Sequence, residues 1–315
     1  MANIFKPTFR DATRSQAKAS VVIGGLSGRG KSGLALTMGF VLADGDWEAV
    51  AALDTENRSL DLFEGIASHM GIPFKPFKKF DLLRTHGYRP THYIAGKEAA
   101  IEMGAKVYIQ DSITHAWIGQ GGVLDLVNKK ESANSSLNKY SAWGEAEVSN
   151  EKNSIYEMIR DPGIHMISTV RMKEKHDLKD GKVVSLGEQQ IQMPDLKYEP
   201  DLVLQMESPG NTRGQAPKAT IIKSRYAIFE EGETYEFTEQ LLKDFKGYLA
   251  EGADPAVIQE RQREEFISEV KYILDNSKSK QTVYHIFKEE LGYKDIPLDE
   301  LPLEAVRKVL SHLML

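Results

Sequence analysis

The chain has 315 residues, a formal charge of −6 and no cysteine. That length buries one large core with a small satellite. The absence of Cys removes disulfides, thiolate metal sites and Cys nucleophiles together, while the acidic total argues against a surface that embraces nucleic acid everywhere but leaves room for a local basic groove. The eight His show no metal-ligand spacing, and the start MANIFKPTFRDATRSQAKAS lacks the apolar run of a signal peptide. No run of about 18 apolar residues offers a membrane span, so a soluble, cytoplasmic protein without membrane contact is expected.

Residues 19–23 form a short β-branched run, followed by a Gly-rich stretch and then an apolar-spaced segment over 32–42. This reads as strand, loop and helix. Residues 49–53 predict a second buried strand ending in Asp54, and 59–70 a helix through Leu60, Leu62, Phe63 and Ile66. Further on, 90–103 reads as a helix, 106–109 as a strand ending in Asp111, 123–130 and 143–159 as helices around the polar loop ESANSSLNK, and 164–169 as a strand. Strands alternating with helices imply parallel crossovers and a sheet covered on both faces, an α/β core. Past Arg171 the chain is charged, and Asp180-Gly181 between short runs suggests a hairpin or a mobile loop. Residues 202–206, 219–222 and 235–237 are expected as antiparallel strands added at a sheet edge, with a helix over 239–249 behind them. The expected division is an extension over 1–18, a core over 19–249, a linker over 250–256 and a small helical domain over 257–315. In that last unit 257–274, 283–291 and 303–313 are amphipathic helix candidates.

Gly25-Leu26-Ser27-Gly28-Arg29-Gly30-Lys31-Ser32 has the G-x-x-x-x-G-K-[ST] pattern and is followed by Gly33. Glycines let backbone N–H groups converge on phosphate oxygens, and the following helix contributes its N-terminal dipole. Lys31 contacts the β- and γ-phosphates, and Ser32 ligates Mg²⁺. Composition produces the pattern in roughly one chain of this length in a hundred, and the flanking strand and helix make chance rarer still. Residues 25 and 27–33 are therefore read as the ATP site. Hydrolysis further needs an acid at the metal and a carboxylate to orient water, both delivered from neighbouring strand ends. Asp111, with Ser112 beside it, is read as the metal-site acid, and Glu56 in Leu53-Asp54-Thr55-Glu56 as the base. The bland readings are a helix N-cap for Asp111 and a solvated loop acid for Glu56.

A P-loop, then Asp-Thr-Glu after the second strand, then an Asp-Ser strand end, resembles the RecA-like ATPases. In them the Glu after the second core strand is the catalytic carboxylate, a role the resemblance carries to Glu56. Ile221-Ile222-Lys223-Ser224-Arg225-Tyr226 is similar to the K-x-R-(F/Y) segment of RecA-like and DnaB-like rings, where Lys and Arg reach a neighbouring subunit's γ-phosphate. By that resemblance Lys223 and Arg225 are catalytic fingers acting in trans; the alternative is a basic turn protecting a sheet edge. GGLSGRGKSG, LDTEN, YIQDSITHAW, Trp143-Gly144 and HMISTVRMKEK, in this order, look like the phage-encoded RecA-like ATPases, a group that includes Sak-type single-strand annealing recombinases. For the γ-phosphate sensor, Gln in RecA and DnaB, this chain offers Thr169 or Arg171. The resemblance implies an ATP- and Mg²⁺-dependent DNA recombination protein, a homo-oligomer (ring or filament) with ATP at the subunit interface. Its alternatives are a nucleotide-switched assembly protein without DNA, and a ring helicase or translocase.

Single-strand binding needs a basic track and stacking surfaces. Between Arg171 and Lys182, Arg171, Lys173, Lys175, His176, Lys179 and Lys182 outnumber Glu174, Asp177 and Asp180, yet no aromatic residue lies between Arg171 and Lys197. The stretch Phe74-Lys75-Pro76-Phe77-Lys78-Lys79-Phe80 interleaves aromatics with Lys and reads as a nucleic-acid groove or as an edge strand carrying protective Lys. The C-terminal helices hold no catalytic constellation. They are read either as a docking bundle for sister subunits, single-strand-binding protein or DNA, or as completion of the core.

Overall fold

The computed structural model describes residues 12, 14–133, 139–161, 163–179, 182–207, 215–276, 297–302 and 305–306; within 175–179 and 182–186 only the backbone is considered. The chain divides into two units, Lys18–Leu249 and the two chain ends Met1–Ala17 with Ala250–Leu315.

The larger unit is built on strands whose side chains alternate between two apolar layers. In β2 (Val50–Asp54), Val50 and Ala52 pack into one cluster and Ala51 and Leu53 into the other. In β4 (Val107–Asp111), Val107 and Ile109 face one layer and Tyr108 the other. Because successive strand residues point to opposite faces, such runs require cover on both sides. The helix α1 (Lys31–Leu42) lies in the first layer with α7 (Glu239–Leu249). α2 (Pro90–Glu102), α3 (Thr114–Ile118), α4 (Val123–Ala133) and α6 (Ala146–Met158) supply the second.

The strands also include β1 (Ser20–Gly25), β3 (Lys78–Asp81), β5 (His165–Lys179), β6 (Lys182–Gln190), β7 (Leu202–Met206), β8 (Lys218–Ser224) and β9 (Thr234–Glu236). Their order is β3-β2-β4-β5-β1-β7-β8-β9, with β6 paired to β5 alone. β5 runs parallel between β4 and β1, and Asp54 is level with Asp111 as Gly25 is level with Arg171. The carboxyl ends of β1, β2, β4 and the core part of β5 therefore lie together, the place where open α/β sheets bind ligands. Past Arg171, β5 leaves the sheet and pairs with β6 as an antiparallel hairpin, one of the two forms expected for the charged stretch; Asp180 and Gly181 lie outside the described residues.

Several expected elements take another form. Residues 59–70 are not an α-helix: a 3₁₀ turn Ser59–Phe63 is followed by irregular chain. Gly65 and Gly71 take the left-handed φ values 75° and 72°, which a right-handed helix cannot contain. The helix expected over 143–159 starts late: Glu145 is extended at φ −62°, ψ 133° and α6 begins only after it, while a separate short helix, α5 (Lys139–Ala142), precedes the expected range. β7 is not an antiparallel addition, for it runs parallel to β1; the antiparallel pairs begin with β7–β8 and β8–β9. Within 74–80, residues 78–80 belong to the edge strand β3. Phe74 is buried, Phe77 packs by Trp47, Lys79 bonds Asp61 and Asp81, and of the three aromatics Phe80 is the exposed one.

In the smaller unit Ser15 bridges Ala253, Arg14 pairs with Glu251 at 2.9 Å, and α8 (Pro255–Asn276) covers the expected first helix. The expected helix over 283–291 and most of that over 303–313 lie outside the described residues. No helix among the described residues is long and apolar enough to cross a membrane.

Candidate active site

The P-loop connects β1 to α1. Gly28 and Gly30 stand at φ 78° and 83°, a left-handed backbone open to Gly at little cost, and α1 starts at Lys31. The amino end of a helix of 12 residues faces the loop and attracts negative charge. Lys31 Nζ donates to the Leu26 carbonyl at 3.0 Å, inside its own loop. Burial lowers the Lys31 pKa, against the pull of the Asp111 and Glu56 carboxylates. The same ammonium also feels Arg171 and Arg29, so one pocket of charge unites these five residues.

Asp111 ends β4 almost fully buried. Thr169 Oγ1 donates to its Oδ1, whereas Oδ2 is buried without a hydrogen-bond partner among the described residues. Burial raises the Asp111 pKa, and the Thr169 and Ser32 hydroxyls oppose that rise. A buried carboxylate oxygen without a partner is costly, and a cation beside Ser32 resolves it; oxygen donors of this kind suit Mg²⁺, which keeps waters and phosphate oxygens as its other ligands. No cluster of three or more His, Asp or Glu able to hold a metal occurs among the described residues.

Glu56 is presented by a tightly ordered turn after β2. Asp54 Oδ1 accepts from Glu56 N at 2.7 Å and Oδ2 from Leu60 N at 2.9 Å. Asn57 and Arg58 follow at φ 55° and 64°, a left-handed pair that costs about 1–2 kcal/mol per residue for non-glycine side chains. Glu56 Oε1 accepts from Ser112 Oγ at 2.7 Å and from Arg171 Nε at 2.7 Å, and its Oε2 accepts from the other arm of the Arg171 fork. Burial would raise the Glu56 pKa, but the Arg171 and Ser112 bonds outweigh it and hold the carboxyl below its ordinary value. Thr55 Oγ1 bonds Ser112 N at 2.9 Å and His115 Nδ1 at 2.8 Å, and His115 stacks on Tyr88 at 4.8 Å. The Asp111–Ser112 peptide is cis.

The structure therefore brings Lys31, Ser32, Asp111 and Glu56 to one end of the sheet. Gly25 ends β1, Ser27 and Gly28 are exposed or nearly so in the loop, and Gly33 lies in the first turn of α1 with Phe63 opposite. Arg29 is turned to Glu188 Oε1 at 3.3 Å and the Met206 carbonyl at 3.5 Å. Of the two sensor candidates, Thr169 binds Asp111 and Arg171 binds Glu56. Lys223 and Arg225 are not in this cluster. Lys223 is paired with Val203, and Val203 with Val22, so it stands near the amino ends of the parallel strands, about 10 Å below the P-loop at 3.3 Å per residue. Its Nζ donates to the Tyr198 and Pro200 carbonyls at 2.6 and 2.7 Å, and Arg225 pairs with Asp201 at 2.9 Å. The pairing of Arg171, a sensor candidate in the sequence, with Glu56 went unread, as did the parts of Thr55, His115 and Tyr88, because Arg171, His115 and Tyr88 are brought to the Glu56 turn only by folding.

A family model described as an AAA domain matches residues 17–236. Among solved structures the chain is similar to the RadB recombinase, at 16% identity and a TM-score of 0.41, over 69% of this chain and 86% of that one. No curated protein matches it.

Proposed function

The chain belongs to the AAA-domain family, and from that membership we propose that it is a Mg²⁺-dependent ATPase of RecA-like recombination type, a homo-oligomer that binds single-stranded DNA and promotes annealing or strand pairing. The observation that carries the reading is the convergence of Lys31, Ser32, Asp111 and Glu56 on the P-loop. Backbone N–H groups of residues 27–33 cradle the phosphates, and Lys31 leaves the Leu26 carbonyl to reach the β- and γ-oxygens. Ser32 Oγ and Asp111 Oδ2 would hold Mg²⁺, which neutralises phosphate charge when bound. Glu56, once a carboxylate oxygen is free, accepts a proton from the attacking water and orients it. Lys223 and Arg225, far from their own P-loop, serve the site of a neighbouring copy, where charge gathers on the transferring phosphoryl group.

A second reading is favoured by one contact: Arg171 and Ser112 occupy both oxygens of Glu56. A carboxylate so held suits a nucleotide-switched assembly protein with little turnover and no DNA. ATP turnover measured with and without single-stranded DNA separates the two, since the first reading expects stimulation and the second a low rate that DNA leaves unchanged. Strand-displacement and annealing assays distinguish a ring helicase or translocase from the recombination protein. Docking of single-strand-binding protein through the C-terminal helices is part of the same proposal, and a pull-down with a chain ending at residue 249 tests it.

A further inference from the structure

The turn that carries Glu56 is fastened to the end of β4 through the residue before it. Thr55 N donates to the Asp111 carbonyl at 2.7 Å, Ser112 N donates to Thr55 Oγ1 at 2.9 Å, and the same Oγ1 stands 3.0 Å from the Ser112 carbonyl. His115, in the first turn of α3, adds its own contact, with Nδ1 2.8 Å from Thr55 Oγ1. A hydroxyl has one proton to give. With Nδ1 bare, Thr55 has to choose between His115 and the Ser112 carbonyl. With the ring proton on Nδ1, His115 donates to Thr55, Thr55 donates to Ser112, and each of these groups has its bond. The network therefore selects the Nδ1–H form.

The ring is held from its other side as well. Tyr88, in the connection between β3 and α2, stacks on His115 with centroids 4.8 Å apart and planes 26° apart. Tyr88 N donates to the Gln120 carbonyl at 2.8 Å, in the turn that ends α3. Gly119 in that turn is what admits the phenol ring: a Cβ there would stand 2.6 Å from Tyr88 Cδ2 and 2.6 Å from the His115 carbonyl oxygen, well inside ordinary contact distance. Burial lowers the His115 pKa, against the pull of Glu56 and with Arg171 adding to the fall, so the clamped ring is neutral at neutral pH.

We propose that His115, clamped by Tyr88, is a positioning residue for Glu56. It fixes the Thr55 hydroxyl, and through it the relation between the Glu56 turn and Ser112, whose Oγ donates to Glu56 Oε1 at 2.7 Å. This rests on the reading of Glu56 as the carboxylate that orients water. His115 touches no phosphate in this arrangement, because the P-loop, Lys31 and Ser32 belong to β1 and α1 while His115 belongs to α3. Its removal therefore acts on the rate of hydrolysis and not on the binding of ATP. A displacement of about 1 Å in a reacting group is worth up to about 10²-fold in rate.

The test is steady-state ATP turnover with Mg²⁺ and an oligothymidylate, alongside ATP affinity by titration calorimetry, in the full chain as wild type, His115→Ala, His115→Asn, His115→Gln, Tyr88→Ala and Glu56→Gln. His115→Ala is expected to lower kcat about 10- to 100-fold with KM and ATP affinity little changed. Asn places an amide where Nδ1 stood and should recover most of the rate, whereas Gln, whose amide lies one carbon further out, should not. Tyr88→Ala should lower kcat by less, and add nothing when combined with His115→Ala, since both act through one ring. Wild-type kcat in His115→Ala, a loss confined to KM, or Asn no faster than Gln overturns the proposal. If His115→Ala loses ATP binding by unfolding, the Asn and Gln variants decide by the same comparison. Wild-type turnover in Glu56→Gln is a different failure: it removes Glu56 from the reaction altogether.

Discussion

Asp111 shows what a buried carboxylate costs when its charge is meant for something else. Burial raises its pKa, and Oδ2 has no hydrogen-bond partner among the described residues, so burying this carboxylate opposes folding of the protein by itself. Asp111→Asn is therefore expected to raise the Tm measured without nucleotide, by about 2–4 °C for each kcal/mol recovered, while abolishing Mg²⁺-dependent turnover. Chelating Mg²⁺ should reproduce the second effect in the wild type and not the first. Lys31→Ala is expected to weaken ATP binding about 10- to 150-fold, the worth of a charge-assisted hydrogen bond, as read by titration calorimetry. Lys31, Ser32 and Asp111 were legible because motif and strand end place them within a few residues of their task. The Arg171–Glu56 fork was not, since its partners lie 115 residues apart and meet only through the order of β1, β2, β4 and β5.

Among the elements, β5 carries most weight, since it crosses the centre of the sheet and continues as the hairpin. Near its start, His165 Nδ1 accepts from Ala19 N at 2.9 Å, which requires a ring unprotonated at that nitrogen. Burial, with Lys18 adding to it, brings the His165 pKa down from 6.5 to about 3. Between those values the unfolded chain takes up a proton that the folded chain refuses. The stabilisation is complete above about pH 6.5 and declines by at most about 1.4 kcal/mol per pH unit as pH falls toward 3. Urea denaturation at pH 7.5 and 5 should show that loss in the wild type and a smaller one in His165→Gln. The core strands were readable from β-branched runs of even burial. What misled were spacing arguments blind to backbone: Leu60, Leu62, Phe63 and Ile66 have helical spacing, yet Gly65 and Gly71 turn the chain, and Leu62 and Ile66 end exposed. The direction of β7 depends on its neighbour β1, which a five-residue apolar run cannot name.

At the scale of the whole molecule, the proposal that Lys223 and Arg225 act in trans would leave the site incomplete in one copy. Head-to-tail contacts that delivered them would generate rings or filaments. Mixing Glu56→Gln with Arg225→Ala checks this: each alone should be nearly inactive, whereas an equal mixture places both intact residues at about a quarter of interfaces and should recover activity in that proportion. An inactive mixture leaves Lys223 and Arg225 as edge charges held by Tyr198, Pro200 and Asp201. The most direct measurement concerns Glu56 itself: ATP binding and single-turnover hydrolysis compared between wild type and Glu56→Gln, with Mg²⁺ and single-stranded DNA present. Unchanged ATP affinity with hydrolysis slowed about 10²- to 10⁴-fold is the expected result, and hydrolysis at the wild-type rate contradicts it.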